Sequence, residues 1–95
     1  MKHVEVRLCD EKRQQLKAGD TIRFNSTASK SDFIQVVVTD LKYFKTFEAL
    51  YETVGLDALG RADKTMSWML EQTALLYDSE RETKYGAVAI YLDIK

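Results

Sequence analysis

Glu5 and Arg7 stand two residues apart in the alternating segment His3-Val4-Glu5-Val6-Arg7-Leu8, so their side chains point the same way, and His3 joins them. A carboxylate beside a guanidinium on one strand face reads in two ways. The plain reading is a weak, solvated ion pair. The chemical reading is recognition: an arginine fork matches a phosphate or carboxylate edge, and Glu5 accepts hydrogen bonds from an exocyclic amine of a base or holds Arg7 in place. Lys2 precedes this stripe, and a lysine acts as a base only where burial lowers its pKa. Lys12, Arg13 and Lys17, with Arg23, form a basic group suited to phosphates or, equally, a solvated face balanced by Asp10 and Glu11. The loop Asn25-Ser26-Thr27 offers small hydrogen-bonding groups, which turns need in any case. Trp68 lies off the apolar stripe of its helix, either as a second buried side or as a stacking platform for a base. The single histidine has no partners at ligand spacing, so no metal site and no cofactor are expected.

The scaffold for these residues is small. A chain of 95 residues allows one domain, 1–95, and its 45% apolar content is enough for a modest core. The formal net charge is -1, whereas proteins that grip long duplex DNA are usually clearly basic. Any nucleic-acid contact is therefore expected to be local: a short strand, a loop or a single nucleotide. Cys9 is the only cysteine, which excludes an internal disulfide framework. No apolar run approaches the length of a membrane span, and the first residues alternate instead of forming a signal-peptide block. The expected compartment is the cytoplasm, without membrane contact.

Hydrophobic spacing divides the chain into elements. His3 to Leu8 is a half-buried strand with Val4, Val6 and Leu8 on its core face. Asp10 to Leu16 reads as a short helical segment capped by Asp10, followed by a turn at Gly19-Asp20. Thr21 to Asn25 is a second strand, Ser26 to Ser31 a loop, and Phe33 to about Tyr43 a long strand. Phe33 to Val38 is apolar on both faces; beyond it Leu41 and Tyr43 share a side. Phe47, Leu50, Tyr51 and Val54 recur at helical spacing, capped by Thr46 and stopped at Gly55. A longer helix capped by Asp63 carries Met66, Met69, Leu70, Leu76 and Tyr77 on one stripe, with Trp68 and Leu75 suggesting burial on two sides. Ser79-x-x-Glu82 has the form of a capping box, Gly86 stops the last helical turn, and Ala87 to Ile94 is the final strand. The order predicts an α+β fold: a curled mixed or antiparallel sheet approaching a small barrel with flanking helices. Val4, Val6, Ile22, Phe24, Val88 and Ile90 are expected in one core.

These segments resemble the ASCH domain family. Lys2-x-x-Glu5-x-Arg7 matches the second part of its motif, Gly-x-Lys-x-x-Glu-x-Arg, and Leu16-Lys17-Ala18-Gly19-Asp20-Thr21-Ile22-Arg23 is similar to the stretch that follows it. Lys84-Tyr85-Gly86-Ala87-Val88 is similar to the family's lead into its last strand. The resemblance implies a PUA-like β-barrel with the Glu5-Arg7 strand lining a cleft for RNA, a nucleotide or a modified nucleoside. The binding residues it implies are Glu5 and Arg7; Asn25 and Trp68 are expected to join them on their own chemistry. The rival reading is a small hydrolase acting on a nucleoside or RNA, with Lys2 and Glu5 as its catalytic pair. Some small bacterial members remove an acetyl group from acetylated cytidine with a lysine, a threonine and a downstream acid. Lys2 matches the lysine, Glu5 stands where the threonine belongs, and Asp63 is merely near the acid. A third reading is a structural or regulatory partner-binding domain. Met1 stands one residue before the motif lysine, where the family has a helix and a glycine. The expectation is a short or N-terminally truncated member, with an exposed patch that a homodimer would cover.

Overall fold

The alternating segments at the two ends of the chain lie side by side in the fold. The computed structural model describes residues 2–25 and 33–94. Its elements are β1 (Lys2–Leu8), a 3-10 turn (Arg13–Gln15), β2 (Thr21–Asn25), β3 (Phe33–Phe44), α1 (Phe47–Val54), α2 (Met66–Leu76), α3 (Ser79–Tyr85) and β4 (Ala87–Ile94). The strands form one antiparallel sheet in the order β1-β4-β3-β2. β4 is therefore central, and its residues from Ala87 to Leu92 are almost all buried.

β4 divides its side chains by size. Ala87 and Ala89 face the helices, and Val88, Ile90 and Leu92 face the other way. The small face lets α1 approach closely, so Phe47, Leu50 and Tyr51 pack there with Met69 of α2 and Leu8 of β1. The Thr73 hydroxyl donates to the Met69 carbonyl at 2.8 Å, which leaves its oxygen to accept from the buried Tyr51 phenol at 2.6 Å. One hydrogen-bonded chain thus ties α1 to α2 without an unsatisfied polar group. On the opposite face, Val36, Val38, Val88, Ile90 and Leu92 form a second cluster. It is covered by Cys9, Leu16 and Ile22 from the segment that leaves β1 and returns into β2.

β3 serves both faces by means of a bulge. Val38 pairs with Leu92 but Asp40 pairs with Tyr91, so Thr39 is the extra residue. Its hydroxyl donates to the Tyr91 carbonyl at 3.2 Å. Beyond the bulge Leu41 lies opposite Ile90 and Tyr43 opposite Val88, on the same face as Val36 and Val38.

Several expectations need correction. The four strands form an open sheet with β1 and β2 as its edges, so the expected barrel does not close among the described residues. The single core is instead two clusters on opposite faces: Val4 and Val6 pack with the helices, whereas Ile22, Val88 and Ile90 lie on the other side. The side chain of Phe24 and the loop Ser26 to Ser31 lie outside the described residues. α1 matches its prediction, with the Thr46 hydroxyl accepting from the Ala49 N–H at 3.1 Å. α2 is capped by Thr65 and not Asp63. It is also not buried on two sides, since Leu75 and Leu76 are 79% and 71% exposed. In α3 the cap is Asp78, and Glu82 does not close a capping box; its carboxylate accepts from the Phe47 N–H at 2.8 Å. A carboxylate at that end of α1 suits both its free N–H groups and its dipole. The apolar side of β1 gives a homodimer no support. Val4 and Val6 already pack against the helical core of their own chain.

Candidate functional site

Because both edge strands and the central one line a single concavity, the sheet curls around it. The cavity measures about 480 Å³ and lies on the face away from the helices. Its base is aliphatic: Ile22 of β2, Ile90 and Leu92 of β4, and Leu16. Its walls carry Glu5 and Arg7 from β1, Arg23 from β2, and Lys12 and Arg13 from the segment between them. Four cations therefore surround one carboxylate, in a chain whose net charge is -1. Four of the chain's 14 Lys and Arg residues thus meet at one cavity.

Local folding accounts for each wall. β1 pairs with β4 so that Glu5 and Arg7 lie opposite Ile90 and Val88 and share their face. Asp10 caps the turn that presents the next two cations: its carboxylate accepts from the Arg13 N–H at 3.1 Å and meets the Arg13 guanidinium at 3.5 Å. The return of this segment is fixed at β3, where the Gly19 N–H donates to the Val38 carbonyl and the Val38 N–H to the Asp20 carbonyl. Gly19 has φ 98°, the left-handed backbone that a turn of this kind needs.

The polar stripe is an ordered chain. His3 Nε2 lies 2.6 Å from Glu5 Oε1, and Arg7 Nη1 lies 3.0 Å from Glu5 Oε2. The same Arg7 Nη1 donates to the Val6 carbonyl at 2.8 Å. These groups are partly solvated, so the pairs add little stability. What they add is orientation. Each Glu5 oxygen keeps an accepting lone pair, and the contacts of Arg7 with Glu5 and Val6 both run through Nη1 of its five-donor fork. The arrangement can accept an N–H from a ligand edge at Glu5 and offer a forked donor to a phosphate at Arg7.

The other sequence candidates are placed differently. His3 stands at the outer rim, beside Glu5 but not in the cavity wall. Lys12, Arg13 and Arg23 join the wall, whereas Lys17 is exposed outside it. Trp68 packs on the helical side of the sheet, with the Lys64 ammonium 4.8 Å above its ring. The side chains of Lys2 and Asn25 lie outside the described residues. Asp63 is exposed beside Lys64, at 3.6 Å, and does not reach the cavity. Among the described residues no three His, Cys, Asp or Glu side chains cluster as metal ligands, and no helix is long and apolar enough to cross a membrane. The cavity base escaped sequence reasoning, since Ile90 and Leu92 on a strand carry no signal beyond burial.

A family model of the ASCH domain matches residues 1–95. The chain belongs to the ASCH domain family. It is also similar to two solved structures. The crystal structure of hypothetical protein PH0355 is 33% identical with a TM-score of 0.82, over 97% of this chain and 81% of that one. The solution structure of protein PF0455 from Pyrococcus furiosus is 33% identical with a TM-score of 0.76, over 97% of this chain and 79% of that one. No curated protein matches. In this ASCH domain the motif residues Glu5 and Arg7 are thus cavity residues.

Cys9 closes the inner end of this ASCH domain's cavity cluster and is 7% exposed. Burial pushes its thiol pKa up, and the neighbouring Asp10 carboxylate pushes it the same way. A thiol held protonated is a poor nucleophile. Cys9 is expected to react with a thiol reagent far more slowly in the native protein than in urea. Equal rates would show that the strap over the second cluster opens freely.

Proposed function

We propose that this ASCH domain binds single-stranded RNA, seating one base in the cavity beside β1. The observation that carries this reading is the lining of the cavity: an aliphatic base ringed by Arg7, Lys12, Arg13 and Arg23, with Glu5 as its one carboxylate among the described residues. A nucleotide presents the same pairing of chemistries. Its base is flat with apolar faces and polar edges, and its phosphate is anionic. Ile22, Ile90 and Leu92 take the face, Glu5 accepts an N–H from the edge, and the cations take the backbone. β1 and β2 are the two edges of the described sheet, and the bound strand runs on between them. The family is generally RNA-binding, which supports the same assignment.

Arg7→Lys tests it. Lysine keeps the charge but loses the fork, and Arg7 bears on a partly exposed surface where stability hardly depends on it. RNA affinity is expected to fall roughly tenfold, equivalent to about 1.4 kcal/mol, while Tm stays within a degree or two. Retained affinity would remove Arg7 from the site. Nucleosides, nucleotides and short RNAs should each be titrated against the native protein, because a ligand of the native state raises Tm.

The hydrolase reading assigns Lys2 and Glu5 as the catalytic pair. Glu5→Gln separates the two readings. In a hydrolase it abolishes turnover while binding survives; in a binder it changes affinity modestly and there is no turnover to lose.

A further inference from the structure

The face of the sheet that carries the cavity does not end there. A second concavity of about 580 Å³ lies where the end of β3 meets the start of β4. Gly86 creates its floor by close approach: a Cβ at that position would stand 2.5 Å from the Phe44 carbonyl oxygen. Its walls are Tyr43, Lys45, Lys84 and Tyr85, and among the described residues the two lysines are the only charged ones that line it. Two cations without an acid, flanked by two aromatic rings, is the composition of a surface that tracks a nucleic-acid backbone and stacks its bases.

Position joins this groove to the first cavity. Tyr43 lies opposite Val88 on the cavity face, and its diagonal neighbour across the strands is Ile90, in the base of the first cavity. Diagonal neighbours of this kind are about 7–8 Å apart. The Tyr85 hydroxyl also donates a long hydrogen bond, 3.4 Å, to Glu11, the residue before Lys12 of the first wall. Among the described residues the first cavity has no aromatic lining; the second has three aromatic residues, Tyr43, Phe44 and Tyr85. Of the two tyrosines, Tyr85 has the Lys84 ammonium 5.1 Å above its ring, whereas Tyr43 is 58% exposed. The ring available for stacking is Tyr43.

We propose that the groove at Tyr43, Lys45 and Lys84 is a second RNA subsite, in which a neighbouring base of the same strand stacks on Tyr43 and its phosphates meet the two lysines. This rests on the reading of the first cavity as an RNA site. It adds that the domain recognises a strand of several nucleotides and not an isolated nucleotide.

The test compares mononucleotides and random-sequence RNA octamers on the intact chain, read by titration. Tyr43→Ala is expected to weaken the octamer roughly five- to hundredfold, the range for one lost base stack, and to leave the mononucleotide unchanged. Tyr43→Phe keeps the ring and is expected to restore octamer affinity. Replacing Lys45 and Lys84 together by alanine should reduce the salt slope for the octamer by about 1.4, at about 0.7 per phosphate contact in a single strand. Unchanged octamer affinity in Tyr43→Ala, with Arg7→Lys still weakening both lengths, overturns the second subsite and leaves the first standing. Equal weakening of mononucleotide and octamer by Tyr43→Ala also overturns it. Failure of the unaltered chain to bind either length removes both readings together.

Discussion

Replacing Leu50 by alanine is expected to lower the stability of the domain by about 2–5 kcal/mol, the cost of emptying a fully enclosed leucine site. Leu50 is 0% exposed and sits in the helical cluster with Phe47, Tyr51, Met69, Ala87 and Ala89. The alanines of β4 belong to a central strand hydrogen-bonded on both sides, so they cannot move in to fill the space. In a domain this small each kcal/mol shifts Tm by about 4–8 °C. Urea unfolding should show a lower midpoint with an unchanged slope. A loss below about 0.5 kcal/mol would place α1 at the periphery, against its burial. RNA affinity, measured well below the new Tm, should not change, because the cavity lies on the other face of the sheet.

Gly86→Ala is expected to be at least as damaging, for a different reason. Gly86 has φ 74° and ψ -170°, a region populated essentially by glycine alone, and occupying it with a side chain costs on the order of 1–3 kcal/mol. A Cβ would in addition stand 2.5 Å from the Phe44 carbonyl oxygen, a backbone atom that cannot rotate aside. The Gly86 carbonyl accepts from the Cys9 N–H at 2.9 Å, so relief of the clash disturbs the start of β1–β4 pairing. The expected result is a loss of more than about 3 kcal/mol, or failure to fold. An alanine variant with native Tm would mean that α3 can shift its last turn and re-enter β4 by another path.

Much of this was legible in the sequence, and the exceptions have physical causes. α1 was readable because its apolar positions, its Thr46 cap and its Gly55 stop all agree. The Glu5–Arg7 stripe was readable because strand parity alone puts both on one side. The two-cluster core was not. Alternation tells which residues share a face but not which faces of different strands meet, and Val4 and Val88 both read as inward. The clue lay in β4, whose two faces are both apolar but unequal in size, Ala87 and Ala89 against Val88, Ile90 and Leu92. Such a strand is covered on both sides. Glu82 was misread because the capping-box pattern is local, whereas its carboxylate satisfies a helix start 35 positions away. The base of the cavity was invisible because aliphatic side chains read as core whether or not a ligand rests on them.

The bulge at Thr39 has a consequence for how this chain can vary. Upstream of it the even-numbered residues Val36 and Val38 face the cavity; downstream the odd-numbered Leu41 and Tyr43 do. Deleting Thr39 would restore unbroken pairing, with Asp40 following Val38 opposite Tyr91. Leu41 and Tyr43 would still stand opposite Ile90 and Val88, on the cavity face. A one-residue deletion further along the strand would instead turn over the side chains between the gap and Thr39. Relatives that lack the residue at Thr39 should therefore keep both faces of the sheet.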